Sequence, residues 1–166
     1  MTVDERATPK SVPRGLDDSG LAHLVGYAAS RAALEMRKVF VAHMEGFDLR
    51  IAEFTILMLV KTNGEVNQKQ LGQALDISPP NMAVTLDRMV ERGWVERVRS
   101  TRDRRAQHIH LTAAGRVLAE RAFSISATME EPALAALSRA ERALLIELLR
   151  KISPRGTRGT SPSGRA

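Results

Sequence analysis

The sequence predicts a mainly α-helical chain with a small β-hairpin wing, and three observations support this fold class. Apolar residues recur at helical spacing along most of the chain. In the middle, a short amphipathic segment, a tight turn and a longer amphipathic segment follow one another. Two alternating segments then flank an arginine-rich stretch, as in a hairpin. Hydrophobic residues make up 43% of the chain but aromatic residues only 4%, which favours packed helices over a large sheet.

The composition limits which kinds of partner and which cellular compartment are expected. The 166 residues match about one compact domain, and the net charge of +6 with a pI near 10.5 predicts a polyanionic partner. The absence of cysteine excludes disulfides, thiolate metal sites and thiol redox sensing, and it fits a reducing, cytoplasmic setting. The N-terminus lacks the apolar core of a signal peptide, and no apolar run is long enough for a membrane span.

Two helices are predicted after a flexible N-terminal arm, residues 1–18. Apolar residues at helical spacing predict a helix from Ser19 to about Glu45, which Gly46 ends. A second helix, Arg50 to Lys61, is apolar on almost every side. We therefore expect it to be the buried central helix of the domain.

The next two helices form the predicted helix-turn-helix. A short helix covers about Gln68 to Leu75. A longer helix follows, with Ser78 as its expected N-cap and with Pro79 and Pro80 in its opening turn, where a missing N–H costs little. Gly93 ends it. In this arrangement the second helix can enter the major groove of DNA.

The predicted wing consists of two strands and a basic loop. Trp94 to Val98 is predicted to be a strand, with Trp94, Glu96 and Val98 on one side and Val95 and Arg97 on the other. Gln107 to Leu111 alternates again, with Ile109 and Leu111 on one face and His108 and His110 on the other. Guanidinium groups at a hairpin tip are available to a partner, and they suit phosphates and narrow minor grooves. The alternative is an ordinary solvated charged loop. The basic residues of the wing are Arg97, Arg99, Arg102, Arg104 and Arg105.

Two further helices are predicted after the wing. One runs from about Ala113 to Thr128, and Pro132 interrupts the helical pattern. Ser138 and Glu141 have the spacing of a capping box at the start of a last helix, which continues to Ile152. We expect residues 153–166, rich in Gly, Ser, Pro and Arg, to be a disordered basic tail.

Several stretches, taken in order, resemble the MarR family of bacterial winged-helix regulators over about residues 20–152. The strongest runs from Gln68 to Pro80 and continues from Leu86 to Arg97. Next come the wing pattern Asp103-x-Arg105 and then Leu111-Thr112-x-x-Gly115 at the family's spacing. Each piece is weak by itself, but the ordered combination is specific.

The resemblance implies a homodimer that binds double-stranded DNA at a pseudo-palindromic operator. Residues 19–48 and 113–152 would form the helical dimerisation region, and residues 49–112 would form the winged helix-turn-helix domain. The two recognition helices and two wings would meet one site. Repression by occlusion of a promoter is the expected mechanism, and an activator is the alternative within the family.

The resemblance also assigns roles in the wing. Asp103 would hold Arg105 by a charge-assisted hydrogen bond, and Arg105 would enter the minor groove. From their positions in the wing rather than from the resemblance, we expect Arg102 and Arg104 to contact phosphates, and Arg97 and Arg99, nearer the strand, only to flank them. Ordinary turn chemistry is the alternative for Asp103.

The recognition helix departs from the family pattern. Many relatives carry a hydroxyl residue and then an arginine on the exposed face, whereas this chain has Ala83 and Val84 there. Bidentate readout of guanine by an arginine at position 84 is therefore excluded, and Val84 could instead meet a thymine methyl group. The candidate contacts on and beside this helix are Ser78, Pro79, Pro80, Asn81, Val84, Thr85 and Arg88.

A polar stripe on the first predicted helix suggests an effector site. His23, Tyr27 and Arg31 follow one another at every fourth position, with Ser30 beside them. Arg31 and His23 could hold a carboxylate while Tyr27 contacts an aromatic ring, which predicts a small aromatic acid as effector. The alternative is an ordinary polar helix face.

Other function classes find less support. His108 and His110 lie on one face of a strand and could bind metal, but no third ligand is near in sequence, so we expect neither metal nor cofactor. No nucleophilic cysteine, glycine-rich phosphate loop or metal-binding helix motif indicates an enzyme. A winged helix used only for protein contacts remains an alternative. RNA binding is disfavoured because few aromatic residues could stack on bases.

Overall fold

The computed structural model describes residues 16–99 and 107–153, and these form six helices and one two-stranded sheet. The predicted fold class, mainly α with a small hairpin, is confirmed. The elements are α1 (Val25–Met44), α2 (Ile51–Asn63), α3 (Gln68–Leu75), α4 (Pro79–Glu91), β1 (Val95–Arg99), β2 (Gln107–Leu111), α5 (Ala113–Ser126) and α6 (Arg139–Ile152).

The first helix starts later than its sequence pattern predicts. A single 3-10 turn covers Ser19–Leu21, and α1 begins only at Val25. The predicted helix across this region was therefore wrong for its first turns. Leu24 occupies the N-cap with an extended backbone and no capping side chain, so apolar periodicity alone does not extend the helix through it.

The junction between α1 and α2 is a sharp, well-defined turn. A 3-10 turn covers Glu45–Phe47, and Asp48 then adopts a left-handed backbone with φ of 46°. Aspartate is among the few residues other than glycine that tolerate this conformation. The backbone N–H of Arg50 donates to Glu53 at 2.9 Å as α2 begins. This turn links α1 to the helix-turn-helix domain.

The core is built around α2. Its residues Ile56, Leu57 and Val60 are buried, and they belong to one hydrophobic cluster with residues of α1, α3, α4, α5 and the hairpin. From α3 and α4 this cluster receives Leu71, Met82, Leu86 and Met89. The inner faces of the helix-turn-helix are thus fixed by apolar packing, and their other faces remain outside.

The wing pairs as the alternation predicts. β1 and β2 are antiparallel, with a register that runs from Val95 opposite Leu111 to Arg99 opposite Gln107. A bridge that the sequence analysis missed extends this sheet, because the N–H of Ile109 donates to the carbonyl of Val66 at 2.7 Å. The hairpin is therefore tied to the segment just before α3.

The return from the wing into α5 depends on a glycine. Thr112 caps α5 by accepting a hydrogen bond from the N–H of Gly115 at 2.9 Å, and its hydroxyl donates to the carbonyl of Gly93. A Cβ atom on Gly115 would overlap the carbonyl oxygen of Trp94. The helix and the base of the wing can approach this closely only because residue 115 has no side chain.

The last helix has the predicted start, and the rest of residues 16–99 and 107–153 leaves it without a buried face. The capping box is confirmed, with the Ser138 side chain accepting from the Glu141 N–H and the Glu141 carboxylate accepting from the Ser138 N–H. None of the residues of α6 is buried. Its apolar side is consequently open on the described protomer.

Candidate nucleic-acid interface

The exposed surface of α4 is uncharged in its first half. Pro79, Pro80, Asn81 and Val84 are all exposed, and Val84 keeps 69% of its surface accessible. Because the buried side of α4 anchors it in the core, this half projects from the domain as a rigid surface. It offers an amide and aliphatic groups rather than a guanidinium for contact with base edges.

Two hydroxyl residues predicted as contacts differ in their availability. Ser78 holds the N-cap position of α4 and is exposed, but the prediction that its side chain caps the helix was wrong. Pro79 and Pro80, at the first two helical positions, have no N–H to donate, which leaves a capping side chain only the N–H of Asn81 at the third position. Thr85 is half-buried, and its hydroxyl donates to the Asn81 carbonyl at 2.9 Å.

Arg88, another predicted contact, makes ion pairs within the protein. Its Nε lies 3.3 Å from the carboxylate of Glu53, which is only 1% exposed, and its Nη2 lies 3.4 Å from Asp48. A buried carboxylate needs such a partner because its desolvation is costly. The geometry thus gives Arg88 a structural task that the sequence pattern did not indicate.

The base of the wing is joined to α4 by a second ion pair. Arg97 on β1 lies 2.6 Å from Asp87 on α4. Arg99, at the end of β1, is exposed. The four other wing positions predicted to act on DNA, Arg102, Asp103, Arg104 and Arg105, lie outside the described residues.

A polar surface beside the helix-turn-helix was not singled out from the sequence. A shallow depression of about 590 Å³ at the α3–α4 turn is lined in part by Gln68, Lys69 and Gln73. Gln68 donates to the Pro79 carbonyl at 3.4 Å, which links the start of α3 to the start of α4. Lys69 is exposed and suits a phosphate contact. In the sequence, the position of Lys69 on the polar face of the amphipathic helix α3 could have identified it as a candidate contact.

The predicted effector residues do not form one stripe on a helix. His23 precedes α1, so its expected alignment with Tyr27 and Arg31 was wrong. Tyr27 donates to the Asp18 carboxylate at 2.9 Å, and this hydrogen bond raises the pKa of the phenol. Arg31 is half-buried and Ser30 is exposed.

A larger cavity lies at the other end of α1. It measures about 850 Å³, and Arg37 and Arg50 on its rim accompany the apolar side chains of Phe40, Met44 and Ile77. Neither this cavity nor the depression at the α3–α4 turn is lined by a predicted effector residue. No local sequence pattern indicates this cavity, because it forms where α1, α2 and α3 meet.

The two histidines of β2 stand near each other. The ring centroids of His108 and His110 are 6.5 Å apart. Within residues 16–99 and 107–153, no three His, Asp or Glu side chains are grouped so as to hold a metal ion. In the same residues, no helix combines the length and apolarity that crossing a membrane requires.

The family model for the MarR family matches residues 49–106. Two curated relatives come from Bacillus subtilis (strain 168). The HTH-type regulator YpoP is 36% identical over 63 residues, which are 38% of this chain and 45% of YpoP. The HTH-type regulator YkoM is 30% identical over 99 residues, 60% of this chain and 64% of YkoM. The chain thus spans between about half and two thirds of these relatives' lengths.

Among solved structures, the chain is similar over nearly its whole fold to the transcriptional repressor CouR. The structure of CouR bound to a 23-mer DNA duplex is 32% identical with a TM-score of 0.78, covering 83% of this chain and 98% of CouR. The structure of CouR bound to p-coumaroyl-CoA is 30% identical with a TM-score of 0.75, and the match covers 84% of this chain and 98% of CouR.

Proposed function

This chain belongs to the MarR family of winged-helix transcriptional regulators, and on that premise we propose that it is a homodimeric repressor that binds a pseudo-palindromic DNA operator. The observation that carries the proposal is the pairing of an exposed, core-anchored α4 with an arginine-bearing hairpin in the fold of a repressor that is bound to DNA. Recognition helix and wing together fit a major groove and its flanking minor groove.

In this proposal, α4 and the wing have different tasks. Asn81 and Val84 face base edges, and Ser78 faces a phosphate. Lys69 and Arg99 add phosphate contacts from either side. Arg105, oriented by Asp103, enters the minor groove, while Arg102 and Arg104 contact the backbone. The uncharged half of α4 supports a specificity for adenine and thymine, and the basic wing supports most of the affinity.

The open apolar surfaces of α1, α5 and α6 support the homodimer. Monomeric soluble proteins seldom expose large continuous apolar patches. The large apolar residues on these three helices that are at least 40% exposed are Val25, Leu34, Val41, Val117, Phe123, Leu144, Leu145, Ile146, Leu148, Leu149 and Ile152. A second copy of the chain would cover them, and it would set two recognition helices at half-sites about one helical turn apart.

A small aromatic acid or its coenzyme A thioester is the proposed effector. The cavity between α1, α2 and α3 supports this, because Arg37 can hold an anion while Phe40 and Met44 contact an aromatic ring. CouR, at 30% identity, binds p-coumaroyl-CoA. The stripe of Tyr27 and Arg31 is the second candidate position.

The test of DNA reading is selection of duplexes from a random library by the full-length protein, followed by affinity measurements on the recovered sequence. We expect enrichment of an inverted repeat and a steep loss of affinity as salt rises, because neutralised phosphates release counterions. Failure to enrich any duplex, together with a flat salt dependence, would favour the alternative of a winged helix used for protein contacts.

The effector is tested by adding p-coumaroyl-CoA or p-coumarate to the protein on that duplex and following its release by fluorescence anisotropy. We expect Arg37→Ala to bind DNA normally but to lose the response. Loss of response in Arg31→Ala instead would move the effector site to the start of α1. Retention in both variants, or no release of the wild type, would refute an arginine-held aromatic effector of this kind.

A further inference from the structure

Four charged residues connect the α1–α2 junction to the far end of the recognition helix. Asp48 sits in the junction and Glu53 in the first turn of α2, while Arg88 and Arg92 lie one turn apart at the end of α4. The two acidic residues lie 35 or more positions before the two arginines in the sequence, so only the fold brings the acids and the arginines together. We call Asp48, Glu53, Arg88 and Arg92 the junction cluster.

Arg92 is the most firmly held member. Its Nη1 donates to the Asp48 carboxylate at 2.7 Å and to the Asp48 carbonyl at 2.8 Å, and its Nη2 donates to the Phe47 carbonyl at 3.3 Å. The guanidinium also stacks on Trp94, 3.9 Å from the ring centroid. An exposed ion pair alone contributes little, but a planar guanidinium fixed on several acceptors and a ring defines an orientation.

Arg88 makes the second attachment. It bridges the exposed carboxylate of Asp48 and the buried carboxylate of Glu53, at 3.4 and 3.3 Å. The end of α4 is therefore pinned at two points, to Asp48 in the turn between α1 and α2 and to Glu53 in the first turn of α2. A rigid helix pinned at one end can tilt only if these contacts change, and a tilt would displace Val84 in its middle and, by more, Pro80 and Asn81 in its first turn.

We propose that the junction cluster sets the angle of the recognition helix relative to α1 and thereby tunes operator affinity. Its members are positioning residues that act through α4 without touching bases. The consequence for DNA rests on the proposed function, but the effect on helix orientation does not. Asp48 also lines the 850 Å³ cavity, so a ligand there would meet the carboxylate that holds Arg92.

The orientation can be measured without DNA. The chain has no cysteine, so spin labels attach only at introduced sites, here Lys38→Cys on α1 and Val84→Cys on α4, both exposed. Mixing labelled protein with an excess of unlabelled protein restricts the electron–electron distance to one protomer. The test variants are Arg92→Gln and Asp48→Gly, and glycine preserves the left-handed backbone at position 48.

We expect a narrow distance distribution in the wild type and a shifted or broadened one in both variants. Asp48→Asn, which keeps an acceptor and tolerates the same backbone, should restore most of the wild-type distribution. The control Glu147→Gln removes one negative charge, as Asp48→Gly does, but from an exposed ion pair on α6, and it should leave the distance distribution unchanged. An unchanged distribution in folded Arg92→Gln and Asp48→Gly would overturn the proposal.

Affinity for the selected duplex provides the second readout. Without the labels, Arg92→Gln should bind the operator about tenfold more weakly, within the usual range of coupling between sites, and bind non-specific DNA within about twofold of wild type. The salt dependence should stay the same, because no phosphate contact is lost. Equal weakening on both DNAs with a shallower salt slope would make Arg92 a phosphate contact and contradict the proposal. If the wild type selects no operator, only the proposed function fails.

Discussion

At the scale of single residues, the buried carboxylate of Glu53 is the side chain that most needs hydrogen-bond and ion-pair partners. It is 1% exposed in the first turn of α2, and its partners are the Arg50 N–H and the Arg88 guanidinium. Burial of a charge is tolerated only with such compensation. A position that looks like a DNA contact in the sequence therefore also has a task in stability.

Arg88→Ala should lower the free energy of unfolding by about 3–5 kcal/mol, because it leaves a buried carboxylate without its cationic partner. Chemical denaturation followed by circular dichroism measures this. In a Glu53→Gln background the same substitution should cost much less, and Arg116→Ala, at an exposed position of α5, should change stability by no more than about 0.5 kcal/mol. Equal losses in both backgrounds would contradict the pairing.

Gly115→Ala should be strongly destabilising although it adds only one carbon atom. The new Cβ would collide with the backbone of Trp94, so the start of α5 and the base of the wing would have to separate. Overpacking of this kind costs about 1–3 kcal/mol or more. The matched control is Gly26→Ala in α1, where no atom lies within 4 Å of the added carbon, and a wild-type or higher midpoint of urea unfolding is expected.

At the scale of elements, the exposed first half of α4 differs from the wing in charge. The exposed residues Pro80, Asn81 and Val84 carry no charge, whereas Arg99 begins a basic stretch. Charge governs affinity through phosphate neutralisation, while neutral contacts discriminate among base pairs. Loss of a wing arginine and loss of an α4 contact should therefore have distinguishable effects.

Arg105→Ala should weaken operator binding more than Asn81→Ala, Val84→Ala or Thr85→Ala, because it removes a cation from the minor groove. Fluorescence anisotropy on operator and scrambled duplexes gives the comparison. Val84→Ala should bind the operator more weakly than the wild type only when the contacted thymine keeps its methyl group. With uracil in place of that thymine, wild type and variant should bind equally well. Losses at Asn81 or Thr85 as large as that at Arg105 would refute the ranking.

The capping box of α6 should make this helix sensitive to acid. Hydrogen bonds from the Ser138 side chain and N–H lower the pKa of Glu141 below its ordinary value of 4.5. A depressed pKa in the folded state means that this contribution to stability is complete above the ordinary value. It is lost as the pH falls through the lowered one.

Ser138→Ala should cost about 1 kcal/mol of stability at neutral pH, since it removes the N-cap. Urea unfolding at pH 7 and below pH 4 measures the difference between wild type and variant, which should shrink in acid as Glu141 becomes protonated. A difference that does not depend on pH would show that the Ser138 side chain does not help to lower the pKa of Glu141, since the hydrogen bond from the backbone N–H of residue 138 remains in the variant.

At the scale of the whole molecule, the protomer has a closed core and an open apolar side. The core gathers around α2, whereas the leucines and isoleucines of α6 remain exposed. A helix without a packed partner within its protomer gains little stability from its own hydrogen bonds. Association of two chains is the simplest way to cover this side, and it also supplies the symmetry that an inverted repeat requires.

The double substitution Leu145→Glu and Leu149→Glu, one turn apart on α6, should convert the dimer into a monomer. Buried like charges at the interface cannot be solvated. Sedimentation velocity should show the change in mass, and operator affinity should drop because each monomer reaches one half-site. Glu147→Gln on the same helix is the control and should remain dimeric. A monomeric wild type at micromolar concentration would contradict the proposal.

Local patterns predicted most of the elements. Helical periodicity located α2 to α6, strand alternation located the hairpin, and the spacing of Ser138 and Glu141 located the start of α6. These features depend on residues close in sequence, whose interactions are similar in any context. The start of α1 and the cap at Ser78 were predicted wrongly because periodicity and residue type do not report which donors and acceptors are free.

The sequence by itself determined the fold class, the family and the order of the elements, because these follow from local spacing and from an ordered set of motifs. Only the tertiary structure decided the partners of Arg88, Arg92 and Arg97 and the position of the cavity beside Arg37. The physical reason is that these ion pairs join residues 10 or more positions apart, and that the cavity lies between three different helices. Which charges then meet depends on how the helices pack around α2.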